Sequence, residues 1–284
     1  MKPTLAPTVE LFSQHVADLI RSVGKQDFPA QLVAKLREMV HFEDATVIVY
    51  PSDGMPLIAY FETPKPGGVS NLGTFIKGAF LLDPYYIAAA KLRKFGVFRL
   101  HELSPPEFKD SEYYKTWYRS YGYEDECGYL MPIDNGGFVN IALGKIKSGT
   151  AFTQSECELL DAAMPVVEAL CQQHWAGLGV GSESADLRSQ LHQALESFGR
   201  SLLTERETQV INLVLHGHST RTLADKLSIS TETVKLHRKH AYAKLEINSQ
   251  AELFYLFLDS LMSAKEYAGG DTLEAYLQPP RTPR

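Results

Sequence analysis

The sequence predicts two domains of different class. An α+β N-terminal domain, an antiparallel sheet flanked by helices, precedes an all-α domain of four short helices. Three observations carry this. The 284 residues hold 44% hydrophobic and 22% charged side chains, ordinary globular composition at about twice the length of a typical domain. β-Branched and aromatic runs separated by turn residues recur as far as Leu143, and helical periodicity takes over after it. Gly177-Leu178-Gly179-Val180-Gly181-Ser182-Glu183-Ser184 is a Gly/Ser-rich break between two helical patterns. The expected boundaries are 1–176 for the α+β domain, 177–199 for a linker and connecting helix, 200–262 for the helical domain and 263–284 for a tail.

Val9, Phe12, Val16, Leu19, Ile20 and Val23 recur at helical spacing, and Val33, Leu36 and Val40 mark a second helix. Ala45–Tyr50 and Leu57–Phe61 flank Pro51-Ser52-Asp53-Gly54 and read as a hairpin. Pro64, Pro66, Gly67 and Gly68 mark a loop, and Leu72–Leu82 and Pro84–Leu92 read as short helices. Val97–Leu100 is a third strand, and Ser111 caps a helix running to about Tyr121. Tyr129–Ile133 and Phe138–Leu143 form a second hairpin around Asp134-Asn135-Gly136-Gly137, where Asn-Gly supplies positive φ angles. Thr153 and Glu156 make a capping box for a long helix reaching about Trp175, with Pro165 marking a kink.

The formal charge of −6 excludes a globally basic nucleic-acid or anionic-membrane binder, so any nucleic-acid site must be local. Cys127, Cys157 and Cys171 lack C-x-x-C spacing, which predicts reduced thiols in a cytoplasmic protein. The N-terminus shows no signal-peptide pattern, and no apolar run approaches the roughly 18 residues of a membrane span. P-loop, dinucleotide and metal-ligand patterns are absent from the sequence, so neither an enzyme nor a cofactor is expected. Cys127 with His101 or His174, and Glu124, Asp125 and Glu126 as acid/base groups, are the enzymatic alternative, with nothing in the spacing to assemble them.

Beyond the linker, Leu187, Leu191, Leu195 and Phe198 form one apolar stripe. Thr204-Glu205-Arg206-Glu207 is a capping box opening a helix that ends at His216-Gly217. Ser219 caps a short second helix carrying Leu223, Ala224 and Leu227. Ser230 or Thr231 caps a third, Thr233 to Leu245, and Ser249 with Glu252 boxes a fourth, Ala251–Leu261. A short helix, a three-residue turn and a longer basic helix are the helix-turn-helix arrangement, whose second helix enters the DNA major groove. Residues 200–262 carry net charge +1, leaving −7 elsewhere, so basicity is concentrated at that helix. Val234, Ala241 and Leu245 share one face, which turns Lys235, Leu236 and Lys239 toward base edges and leaves Arg238, Lys244, Thr233 and Arg221 flanking, in reach of phosphates. His237 and His240 are three apart, but the cations around them argue against a metal.

Leu203-Thr204-Glu205-Arg206-Glu207, Leu223-Ala224, Ser230-x-x-Thr233-Val234-Lys235-x-His237 and Lys244-Leu245, in this order, resemble the LuxR/FixJ-type DNA-binding domain over residues 200–262. Two positions depart from the pattern: Ala241 stands where a larger aliphatic is usual, and Glu246 where Gly or a small polar residue is common. The N-terminal region is similar, more distantly, to LuxR-type sensor halves in Leu82-Asp83-Pro84-Tyr85-Tyr86 and in Ser111–Tyr118. The resemblance implies a sensor of PAS/GAF-like or autoinducer-domain-like fold. Acyl-homoserine-lactone sensors typically carry a Trp-x-x-x-Tyr pair before the Asp-Pro. Ser70 and Thr74 stand there instead, which disfavours that ligand.

Aromatic residues crowd the middle of the first domain beside two carboxylates. Tyr85, Tyr86, Tyr114, Trp117 and Tyr118 with Asp125 and Glu126 are the candidate effector site, suited to a cationic amine because ring faces and a carboxylate act on the same charge. The competing reading makes Tyr114, Trp117, Tyr118 and Tyr121, at helical spacing, the packed face of a helix. The expected function is a sequence-specific, effector-controlled transcriptional regulator. It acts on double-stranded DNA as a homodimer joined through Leu253, Leu256, Phe257, Ser260 and Leu261, with RNA polymerase as a further partner. The alternative is a regulator whose first domain senses protein–protein contact and binds no small ligand.

Overall fold

The computed structural model describes residues 9–52, 54–62, 75–119, 122–146, 149–178, 192–263 and 270–277. The chain divides into two compact units whose boundaries are not those of a simple tandem. The first comprises 1–70, 84–103 and 121–185, the second 71–83, 104–120 and 186–284. Two stretches of the expected N-terminal domain thus group with the helices beyond the linker. Most of the expected linker, together with Leu187 and Leu191, lies outside the described residues.

The first unit is built on five antiparallel strands in the order β2-β1-β5-β4-β3. These are β1 (Asp44–Tyr50), β2 (Leu57–Phe61), β3 (Gly96–Arg99), β4 (Tyr123–Pro132) and β5 (Phe138–Ile146). Both expected hairpins form, β1–β2 and β4–β5, the latter pairing Pro132 with Phe138 across the Asn135-Gly136 turn. Strand β4 begins six residues earlier than its apolar pattern suggests. Alternation sorts its side chains: Cys127, Tyr129 and Met131 join Val47, Val49, Val139, Ile141 and Leu143 in one core. Helices α1 (Val9–Ser22) and α2 (Phe28–Met39) and the long helix Gln154–His174 cover that face with Leu19, Phe28, Leu32, Leu160 and Val167. On the other face, helix α3 (Pro84–Ala90) brings Tyr86 against Tyr50 and Phe138, rings 5.2 and 5.8 Å apart. Gly128 lies on that face, where a Cβ would stand 2.6 Å from Ile141 O and 3.3 Å from the Tyr85 ring, so this strand position admits glycine alone.

A short helical turn, α4 (Leu100–Leu103), closes β3, and α5 (Glu112–Trp117) lies in the second unit, capped by Ser111 as expected. It stops at Trp117, short of Tyr121. The long helix is α6, with the Thr153–Glu156 capping box formed. Then follow α7 (Glu205–Leu215), α8 (Thr220–Leu227), α9 (Thr231–Lys244), α10 (Gln250–Ser263) and α11 (Thr272–Leu277). The last is a helix inside the expected tail. Asp271 accepts hydrogen bonds from Gly199 N at 2.9 Å and Ser201 N at 2.8 Å, so this end of the chain is tied to the start of the helical domain. The expected dimer seam on α10 is not open. Leu253, Phe257, Ser260 and Leu261 are buried within the unit, where Phe198 packs edge-on against Phe257 and Gly78 lies under Leu261. Leu256 is half-buried. Among the described residues no helix is long and apolar enough to cross a membrane.

Candidate functional site

Helices α8 and α9 meet through the turn Ser228–Ser230. Ser228 adopts the left-handed conformation that ends α8, and Ser230 Oγ accepts from Thr233 N at 3.0 Å to start α9. Val234 and Ala241 are fully buried and Leu245 nearly so, which fixes the rotation of α9. Its opposite face exposes Lys235, Leu236 and Lys239. Leu236 is 51% exposed, an apolar side chain held in water between cations. Lys235, Arg238, Lys239 and Tyr242 line a concavity of about 600 Å³ closed by Asn248 and Gln250 at the start of α10. Lys235 pairs with Glu232 at 2.7 Å, both exposed, a contact that solvent makes weak. Arg221 is exposed on α8, Arg238 is half-buried, and Thr233 belongs to the α9 cap.

Lys244, expected to reach phosphate, is engaged elsewhere. Its Nζ lies 2.6 Å from Glu207 Oε2, and Glu207 is only 5% exposed. Glu207 also completes the α7 capping box, accepting from Thr204 N at 2.8 Å. Burial alone would raise its carboxyl, but the Lys244 ammonium and the Thr204 hydrogen bonds outweigh that and hold it below the usual carboxylate range. The pair braces the end of α9 against the start of α7.

The effector candidates divide between the two units. In the first, Tyr85 and Tyr86 are fully buried, and Tyr85 OH donates to Phe98 O at 3.1 Å. Asp125 and Glu126 are neighbours on β4 and so point to opposite faces of the sheet. Asp125 is not an uncompensated carboxylate: Arg99 Nη2 lies 2.7 Å away, and Phe152 N donates to the same oxygen at 2.9 Å. In the second unit Tyr114 stacks on Tyr118 at 5.5 Å, and Phe75 packs edge-on to Trp117 at 5.7 Å. The Trp117 indole N–H is buried and meets no acceptor among the described residues. Tyr113 OH and Tyr118 OH both donate to Asp83, at 2.8 and 3.2 Å, and Asp83 is 4% exposed. Sequence reasoning passed over Asp83 as a site residue, although the Asp83-Pro84 string was the available signal. The expected helical face is also rotated: Tyr113 and Tyr118 are buried, while Tyr114 and Trp117 are half-buried. Of the enzymatic alternatives, Cys127 is buried beside Cys157, and His174 accepts from Gly24 N at 2.9 Å.

The stretch 104–119 packs on the turn between α7 and α8. Gly217, at φ +81°, lies under Phe108 and Ser111, whose atoms stand 3.2 and 3.1 Å from where a Cβ would be. Thr222 Oγ1 donates to Glu107 at 3.4 Å. Burial holds the nearby His218 imidazole below its usual range; Lys226 adds to this and Glu107 opposes it.

Residues 201–257 match the domain of bacterial regulatory proteins of the luxR family. An HTH-type transcriptional regulator from the exeN 3' region of Aeromonas salmonicida is 35% identical over 189 residues, 64% of this chain and 96% of that protein. The crystal structure of the VqsR LBD domain from Pseudomonas aeruginosa covers 57% of this chain and 95% of its own length, at 23% identity and TM-score 0.50. A structure of SdiA in complex with octanoyl-rac-glycerol aligns with 90% of this chain and 98% of its own at 14% identity and TM-score 0.41. With the family's domain matched over residues 201–257 and a transcriptional regulator of 35% identity covered nearly end to end, this chain belongs to the LuxR family of transcriptional regulators.

Proposed function

We propose that this regulator binds operator DNA through the exposed face of α9 and that a small-molecule effector held by its N-terminal residues sets the affinity. Lys235, Leu236 and Lys239 face base edges, while Arg238, Arg221 and the start of α10 take the phosphate backbone. The observation that carries the coupling is that α7–α10 and the stretch 104–119, with its Asp83–Tyr113–Tyr118 cluster, are one compact unit. An effector that rearranges the cluster therefore acts on the DNA-reading body directly. The protein works in the cytoplasm as a homodimer matching two half-sites, through a surface other than the buried α10 seam.

The effector is read as something other than an acyl-homoserine lactone, from Ser70 and Thr74, which lie outside the described residues. A cationic amine is favoured by the buried Asp83 carboxylate and the Tyr114 and Tyr118 rings rather than by Asp125, and the buried Trp117 N–H suits an effector that also carries an acceptor. Calorimetry of the full chain against amines and their neutral analogues, repeated with Asp83→Asn, tests this. Amine binding that Asp83→Asn abolishes supports the reading, and binding only of neutral or anionic compounds ends it. Binding linkage then requires operator DNA to change the compound's affinity by the same factor by which the compound changes operator affinity.

A further inference from the structure

The face of β4 that α6 covers brings two thiols together. Asp125, Cys127 and Tyr129 alternate onto that face. Asp125 accepts from Phe152 N just ahead of α6, and Tyr129 OH donates at 2.8 Å to Leu160 O farther along it. Cys127 lies midway between these two anchors, so its side chain meets the helix near Cys157, which packs against the same core. Cys127 is fully buried, whereas Cys157 is half-buried on the fourth residue of α6. Arg99 stands directly opposite Cys127 in the β3–β4 ladder, and its Nε is buried without an acceptor among the described residues. Cys171 lies fourteen residues beyond Cys157 on the same helix, about 21 Å along its axis, and cannot reach the pair.

We propose that Cys127 and Cys157 form a peroxide-responsive pair that closes to an intramolecular disulfide. Cys157, the accessible member, attacks as its thiolate. Its sulfur bonds one peroxide oxygen, the O–O bond breaks, and the departing hydroxide takes a proton to leave as water, so that Cys157 becomes a sulfenic acid. Cys127 sulfur then attacks Cys157 sulfur, the S–O bond breaks, and the Cys127 proton leaves with the hydroxide as a second water. The two thiols give up two electrons and the peroxide accepts them. Burial raises both thiols above their ordinary value, with Asp125 and Glu102 adding to the rise; at Cys157 the Cys127 thiol and the Arg99 guanidinium oppose it, so the thiolate fraction that meets the peroxide is on Cys157.

The test uses the full, reduced chain treated with hydrogen peroxide. Free thiols are then counted in denaturant and the links mapped by mass spectrometry without reductant. The expected result is a fall from three free thiols to one, Cys171, with a Cys127–Cys157 peptide pair that a dithiol reductant separates. Cys127→Ala should instead leave a Cys157 sulfenic acid that a cyclic dione traps, and Cys171→Ser should leave the link unchanged. Retention of all three thiols, over-oxidation of Cys157 in the wild-type chain without a link, or links only between chains would overturn the proposal.

Discussion

Replacing Lys244 with Met separates a structural role for this cation from a DNA contact. The substitution keeps the aliphatic stem and leaves the Glu207 carboxylate, 5% exposed, without its ammonium partner at 2.6 Å. Two unit charges about 4 Å apart at an effective dielectric of 20 attract by ~4 kcal/mol. Lys244 is 40% exposed, so solvent screens a good part of this, and the Thr204 N–H still meets the carboxylate. A loss of about 2 kcal/mol is expected, below the ~3–5 kcal/mol of a fully buried pair. Glu207→Gln should cost less, about 1 kcal/mol, because the freed lysine can turn to water while the amide oxygen still serves the capping box. Combining the two changes should recover most of the Lys244→Met loss.

The pH dependence has a definite sign. The Glu207 carboxyl is held below its ordinary value of 4.5 in the folded chain, so its contribution is full above that pH and is lost as pH falls through the folded value. Without Lys244, burial dominates and raises the carboxyl above 4.5, so the gap between variant and wild type should narrow as the medium is acidified from that raised value down to the wild type's lowered one. Calorimetric unfolding measures all of this, at roughly 4–8 °C per kcal/mol for a domain of this size. A Lys244→Met variant with unchanged stability, whose salt slope for DNA binding falls by about one, would refute the brace and restore the phosphate contact.

Arg238→Ala should weaken binding to all DNA sequences alike and lower the salt slope by about one, whereas Lys239→Ala should cost roughly 1–3 kcal/mol on the operator and blur its preference; gel-shift titrations at several salt concentrations distinguish them. Glu246, at φ +56°, holds a left-handed position after α9 that glycine adopts freely, so Glu246→Gly should stabilise the helical unit by about 1 kcal/mol, seen as a raised melting temperature. Phe108→Ala, emptying a site 3% exposed, should cost roughly 3 kcal/mol and lower the same calorimetric transition as Lys244→Met; a shift in a different transition would show that 104–119 and the DNA-reading helices unfold separately. Sedimentation with operator DNA should show two chains per site, and a one-to-one complex would remove the dimer.

Local signals in the sequence translated directly into structure. The Thr153–Glu156 and Thr204–Glu207 boxes and the Ser111, Ser219 and Ser230 caps form where residue type alone places them, because each satisfies backbone groups within four residues, and the second hairpin also closes, through a 3-10 turn over Asp134–Gly136 with Gly136 at positive φ. What escaped is set by partners distant in sequence. Tyr123–Glu126 lacks an apolar alternation, yet it is strand, because Lys145, Gly144 and the Arg99 side chain meet it from neighbouring strands. Helix α5 ends early, and its buried aromatics are Tyr113 and Tyr118, because their hydroxyls are drawn to Asp83 about thirty residues upstream. Helix α11 is six residues long, too short for a periodicity, although Asp271 followed by Glu274 was a readable start signal.

The same division applies to the site. The face of α9 was legible because Val234, Ala241 and Leu245 fix the rotation of one helix, and a single rotation assigns every side chain on it. The fate of Lys244 was not, because its position on the helix permits both an outward and an inward reach. The choice was made by Glu207, thirty-seven residues away, whose buried carboxylate is costly to leave without a partner. The effector candidates divide between the two units for a related reason. Composition showed an aromatic and acidic crowd, but strand alternation sends Asp125 and Glu126 to opposite faces, and Arg99 takes up the charge of the first. The carboxylate that does gather tyrosines, Asp83, stands alone in sequence, and only the folded chain brings Tyr113 and Tyr118 to it. If that cluster is where an effector acts, Asp83→Asn should alter operator affinity in the presence of effector while leaving the α9 contacts in place, a separation that gel shifts with and without the amine panel can read.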